Sequence, residues 1–140
     1  MEVCSFEING RVYTIYNVEK IQGKESRIGE ASYEDTNIYI EYGSISQMLL
    51  TLKHELMHVW LYENGHKNQD NNECFSYEEM CELVALSNRS INKVVDMYCN
   101  KFIDMLYNIW GRAYNYSFLC VWLSSFRATL FNAIFNATMK

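Results

Sequence analysis

The chain has no proline, only three histidines and no Cys-x-x-Cys pair. Without proline, nothing in it reads as a rigid linker. Without cysteines at ligand spacing, the signature of a closed structural zinc site is missing. The five cysteines at positions 4, 74, 81, 99 and 120 are odd in number and scattered. They are expected to be reduced thiols, mostly buried as small hydrophobes, in a cytoplasmic protein. Met1 to Ser5 show no charged-then-apolar leader pattern. Basic charge is also scarce. Twelve Lys and Arg stand against seventeen Asp and Glu, with no basic cluster, for a formal charge of −5. Nucleic acid is recognised through a basic stripe that releases counterions, so no nucleic-acid partner is expected.

The 140 residues are enough for one domain with a core of its own. The first third reads as strands. Cys4 to Ile8 and Arg11 to Tyr16 alternate around Asn9-Gly10, a pair suited to a type I′ hairpin turn. A polar stretch from Glu19 to Glu30 reads as loop, with Gly23 and Gly29 as punctuation. A second hairpin follows, with Ala31 to Tyr33, a turn at Glu34 to Asn37, and the β-branched and aromatic strand Ile38 to Tyr42.

Helical spacing then takes over. Ser44 can cap a helix in which Ile45, Met48, Leu49, Leu52, Leu56 and Val59 form one apolar stripe, and Asn64-Gly65 is a stop signal. Ser76-Tyr77-Glu78-Glu79 fits a capping box opening a second helix, which Ser87-Asn88-Arg89-Ser90 is expected to break or bend. A third helix is expected to carry Ile91, Val94, Val95, Tyr98 and Phe102 inward and to close at Gly111. From Leu119 to Ile134 a broad apolar stripe reads as a further helix, packed on the domain or on a second copy of the chain. Ser124, Ser125, Arg127 and Asn132 interrupt it too often for a membrane span. The expectation is therefore an α+β fold, a small twisted and mostly antiparallel sheet packed by three or four helices. Residues 1–113 would form the domain and residues 114–140 an apolar C-terminal helix that could pair two copies.

The chemistry lies at His54-Glu55-Leu56-Met57-His58. Residues four apart share a helix face, so both imidazoles can meet one metal ion, while Glu55 stands beside them as a base for the water. Imidazole and carboxylate donors suit zinc, and a catalytic zinc site keeps one position open. Fewer than about one in a hundred shuffled chains of this composition would carry the string, and here it falls on a segment that reads independently as an amphipathic helix. A metzincin extension is excluded, because Leu61 and Asn64 stand where glycine and histidine would be required. The third ligand is sought among carboxylates of the next helix. Glu78 and Glu82 share a face with the small Ala85, which assigns Glu78 to the metal and Glu82 to the free N–H of a ligand histidine. Glu79, Glu82 and His66 stay open as alternative ligands.

The run from His54 to Gly65, followed by Glu78-Glu79-Met80-Cys81-Glu82-Leu83-Val84-Ala85, resembles the small ImmA/IrrE-type zinc peptidases of phages and other mobile elements. That resemblance covers roughly residues 5–98. It implies a zincin-like fold and a glutamate third ligand of the gluzincin kind. It also implies a peptide or protein substrate, laid as an added strand along the segment before the motif helix, here Ile38 to Tyr42. Hydrolysis also needs a donor for the carbonyl oxygen, for which His66, Tyr77 and Tyr39 are the candidates. The competing expectation is a zinc-containing regulatory or binding module without catalysis. The spare carboxylate Glu55 argues against it, because a purely structural site has no use for a base.

Overall fold

The computed structural model describes residues 1–21, 27–66 and 75–111. The chain falls into two compact units, Met1–Asn100 and Lys101–Lys140. The first is α+β. Its strands β1 (Glu2–Ile8), β2 (Arg11–Val18), β3 (Gly29–Ser32) and β4 (Asn37–Glu41) form one sheet in the order β1-β2-β4-β3. Helices α1 (Ile45–Glu63) and α2 (Tyr77–Gly111) follow. Of the second unit, only the end of α2 is described, and the apolar stripe from Leu119 to Ile134 lies outside the described residues.

The first hairpin forms as its turn residues dictate. Asn9 and Gly10 both have positive φ, 49° and 82°, the pair of left-handed residues a type I′ turn requires. The sheet is mixed rather than mostly antiparallel. β1 runs antiparallel to β2 and β3 to β4, but β2 and β4 run parallel, with Ile15 beside Ile38. The reason is burial. β4 offers Ile38 and Ile40, both fully buried, and takes the central slot. β3 reads Gly-Glu-Ala-Ser, a poor strand sequence, and is left at the edge.

Tyr13, Ile15 and Asn17 of β2 alternate onto the same face as Ile38 and Ile40, and are covered by Met48, Leu49, Leu52, Leu56 and Val59 of α1. Ser44 caps α1, its hydroxyl accepting from the Gln47 N–H at 3.3 Å. The far end is tied to the first hairpin through Glu63. Its carboxylate accepts from the Arg11 guanidinium at 3.0 Å and from the Tyr13 hydroxyl, and its backbone carbonyl accepts from Asn9 Nδ2 at 2.8 Å.

The described residues hold two helices, fewer than expected, because the anticipated break at Ser87 to Ser90 does not occur. Ser87 and Ser90 turn their hydroxyls back onto the carbonyls of Val84 and Ser87, at 3.1 and 2.8 Å, so neither competes with the helix ladder. Ser87 is itself buried, in line with Leu83. Further along, the Tyr98 hydroxyl donates to Asn17 Oδ1 at 2.8 Å and anchors α2 to β2. No helix among the described residues is long and apolar enough to cross a membrane.

Cys4 and Cys99 are buried and Cys81 is exposed, all three as free thiols. Burial pushes the Cys99 thiol up to about 11, leaving on the order of one thiolate in a thousand at pH 8. Cys81 is therefore expected to react with iodoacetamide at least about a hundredfold faster than Cys99 in the folded protein. Peptide mass spectrometry of timed alkylation checks this, and equal rates would contradict the packing of α2 on the sheet.

Candidate metal centre

One turn of α1 sets the geometry. His54 and His58 project from the exposed side of the helix with their Nε2 atoms 3.0 Å apart and their rings edge to face, centroids 4.6 Å apart at 81°. At this separation the two nitrogens share either one proton or one cation. Two imidazoles at tetrahedral angles on zinc, each about 2.05 Å from it, would hold their nitrogens about 3.3 Å apart. The pair fits that arrangement to within a few tenths of an ångström. Desolvation, and secondarily the neighbouring His54, hold the His58 imidazole below its ordinary value. It therefore stays a neutral donor to more acid pH than a free histidine would.

Glu55, one residue on, is rotated toward the sheet rather than beside the histidines. It is 8% exposed. Burial raises its carboxyl above the ordinary carboxylate value, against the opposing pull of His54, Arg27 and a hydrogen bond from the Ala31 backbone N–H. That contact depends on how closely β3 runs to α1, and Gly29 permits it. A Cβ at position 29 would overlap the Thr51 methyl outright and come within 2.7 Å of Glu55 Oε1. Gly29→Ala is expected to displace Glu55 and destabilise the protein by about 1–3 kcal/mol, the usual cost of overpacking. A thermal melt checks it; an unchanged melting temperature would mean that β3 does not press on Glu55.

His54, Glu55 and His58 open onto one cavity of about 770 Å³, which is also lined by Gly29, Glu30 and Ala31 of the edge strand β3 and by the flanking Arg27, Ile28 and Tyr33. Exposed Leu50, one turn before His54, extends the floor. Tyr33 is partly buried just after β3, its ring stacked on Tyr62 with centroids 4.2 Å apart at 5°. Burial, and then the nearby Glu55 and Tyr62, raise its phenol above the ordinary tyrosine value, so the hydroxyl keeps its proton throughout the neutral range.

The other expected site residues lie elsewhere. Glu78 and Glu82 are exposed on α2, on the side opposite the buried Leu83, Ser87 and Tyr98. Glu79 is occupied as the capping-box partner of Ser76, accepting from its backbone N–H at 2.8 Å and its hydroxyl at 2.7 Å. His66 is exposed beyond the end of α1, between Trp60 and Phe75. Among the described residues no group of three His, Cys, Asp or Glu side chains is gathered where it could hold a metal. Tyr77 is 81% exposed. Tyr39 lies on the opposite face of the sheet from Ile38 and Ile40, stacked on Tyr16, and is removed as an oxygen donor for this site.

The strand expected to receive substrate, Ile38 to Tyr42, is also corrected. β4 is paired on both sides, and the edge beside α1 is β3. Sequence reasoning passed over Gly29, Ala31 and Tyr33 because they fell in or next to a polar stretch read as loop. The available signal was a glycine adjoining a strand, which marks a place where another element comes close. The chain matches no family model, no curated protein and no solved structure.

Proposed function

We propose that this chain is a zinc-dependent peptidase of the zincin kind, similar to the ImmA/IrrE-type enzymes. The single observation that carries the proposal is the convergence of His54 and His58 Nε2 to 3.0 Å in a cavity shared with the buried carboxyl of Glu55. Nothing in the packing of α1 requires two imidazoles there.

In this reading His54 and His58 would hold zinc, and Glu78, which stands exposed on α2 outside the cavity lining, is the proposed third ligand. A bound zinc ion supplies Lewis acidity, polarising a carbonyl and making water acidic enough to ionise near neutral pH. The chain's own residues do the rest. β3, the edge strand beside α1, is the proposed track for the substrate backbone, with its scissile bond in the cavity. Glu55 takes the proton from the attacking water as the water oxygen bonds to the carbonyl carbon. It then hands that proton to the amide nitrogen as the C–N bond breaks, leaving an amine and a carboxylic acid, which loses its remaining proton to solvent. A carboxyl raised by burial suits this double duty, because it must accept a proton and also release it.

The test is a peptide library incubated with zinc-loaded full-length chain and read by mass spectrometry. Cleavage that depends on zinc and is lost on removing the Glu55 carboxylate is the expected result. A zinc-loaded protein that cleaves nothing contradicts the proposal and favours a binding module.

A further inference from the structure

Tyr33 puts a neutral hydrogen-bond donor, beside the charged Arg27, on the strand side of the cavity that holds the histidines. We propose that Tyr33 is a catalytic residue of this site, its hydroxyl donating to the oxygen of the scissile carbonyl; the assignment rests on the peptidase reading above.

Three observations carry it. Tyr33 lines the same cavity as His54, Glu55 and His58, but from the strand side, just after β3. The residue is also held at two points. Its ring lies flat on Tyr62, and its backbone carbonyl accepts from the Arg11 guanidinium, itself fixed by Glu63 and resting 6.0 Å over the Tyr62 ring. A donor fixed in advance costs no reorganisation when charge develops on the substrate. Finally, both anchoring contacts use the ring face and the main chain, and among the described residues the Tyr33 hydroxyl has no hydrogen-bond partner. Phenylalanine would make the same stack, so the clamp does not account for the hydroxyl.

The chemistry balances without proton transfer at Tyr33. When the water oxygen bonds to the carbonyl carbon, the π pair moves onto the carbonyl oxygen, which becomes a stronger acceptor for the phenol. The pair returns to re-form C=O as the C–N bond breaks, and the amine leaves with the proton carried by Glu55. The phenol strengthens one hydrogen bond in between and keeps its proton.

The experiment compares zinc-loaded wild type, Tyr33→Phe and Glu55→Gln on a peptide that the wild type cleaves. It also measures binding of that peptide's phosphinic analogue, in which the scissile amide is replaced by a tetrahedral phosphorus. Tyr33→Phe is expected to lower kcat by about a hundredfold and weaken the phosphinic peptide by a similar factor. KM, zinc content and melting temperature should stay close to wild type. Unchanged kcat in Tyr33→Phe overturns the assignment while the peptidase reading stands. Loss of zinc or of melting temperature in Tyr33→Phe also overturns it, in favour of a structural role. A wild type that cleaves no peptide, or a Glu55→Gln that cleaves as fast as wild type, overturns the peptidase reading and the assignment together.

Discussion

Glu55→Gln is expected to slow peptide hydrolysis by about a hundredfold to ten-thousandfold while leaving zinc bound. Glutamine keeps the shape, and its carbonyl oxygen can still accept the Ala31 N–H that holds the wild-type side chain in place. What it removes is the pair of electrons that takes the water's proton. The same substitution should stabilise the metal-free protein. A carboxyl raised above its unfolded value contributes stability only at low pH, below the unfolded value near 4.5, and loses that contribution as pH rises through the folded value. Above the folded value both states are ionised and the buried charge opposes folding. A neutral replacement relieves that cost, by about 1 kcal/mol if it behaves as stabilising single changes commonly do. The gain in melting temperature should therefore be largest at high pH and shrink as pH falls toward 4. An inactive variant that is also less stable would mean that Glu55 acts as a structural residue.

His54→Ala and His58→Ala are each expected to weaken zinc binding by more than about a hundredfold, beyond the upper end of what losing an outer-shell partner costs. With the Nε2 atoms 3.0 Å apart, removing either ring leaves one imidazole on an exposed helix face, a poor site by itself. Both rings must be neutral to donate, so zinc should be lost as pH falls through the imidazole range. The depressed value of His58 moves its share of that loss to lower pH. Glu78→Ala should follow the histidine variants, whereas Glu79→Ala should cost helix stability through the capping box and leave zinc affinity alone. Calorimetric titration of the metal-free full chain separates these outcomes. Wild-type affinity in both histidine variants would place any bound zinc elsewhere.

The parts of the fold legible in the sequence are those set by local rules. Asn9-Gly10, the Ser44 cap, the Asn64-Gly65 stop and the Ser76 capping box all stand where neighbouring residues alone require them. The apolar stripe of α1 was equally readable, although Ile45 at its start is only half-buried. Strand order was not legible. The parallel pairing of β2 with β4 follows from which strand can fill the centre of the sheet, a competition among distant segments. The continuity of α2 turned on whether Ser87 faced solvent or the core, and serine is compatible with either. The site divides in the same way. His54, Glu55 and His58 announce themselves by spacing on one helix. Gly29, Ala31 and Tyr33 reach the site through β3 at the sheet edge, so only the tertiary fold reveals them.

Zinc K-edge X-ray absorption on the zinc-loaded full-length protein asks most directly which atoms hold the metal. The predicted spectrum has two imidazole nitrogens and oxygen ligands near 2.0–2.2 Å and no sulfur. Sulfur scattering near 2.3 Å would put cysteine on the metal and contradict a centre built on His54 and His58.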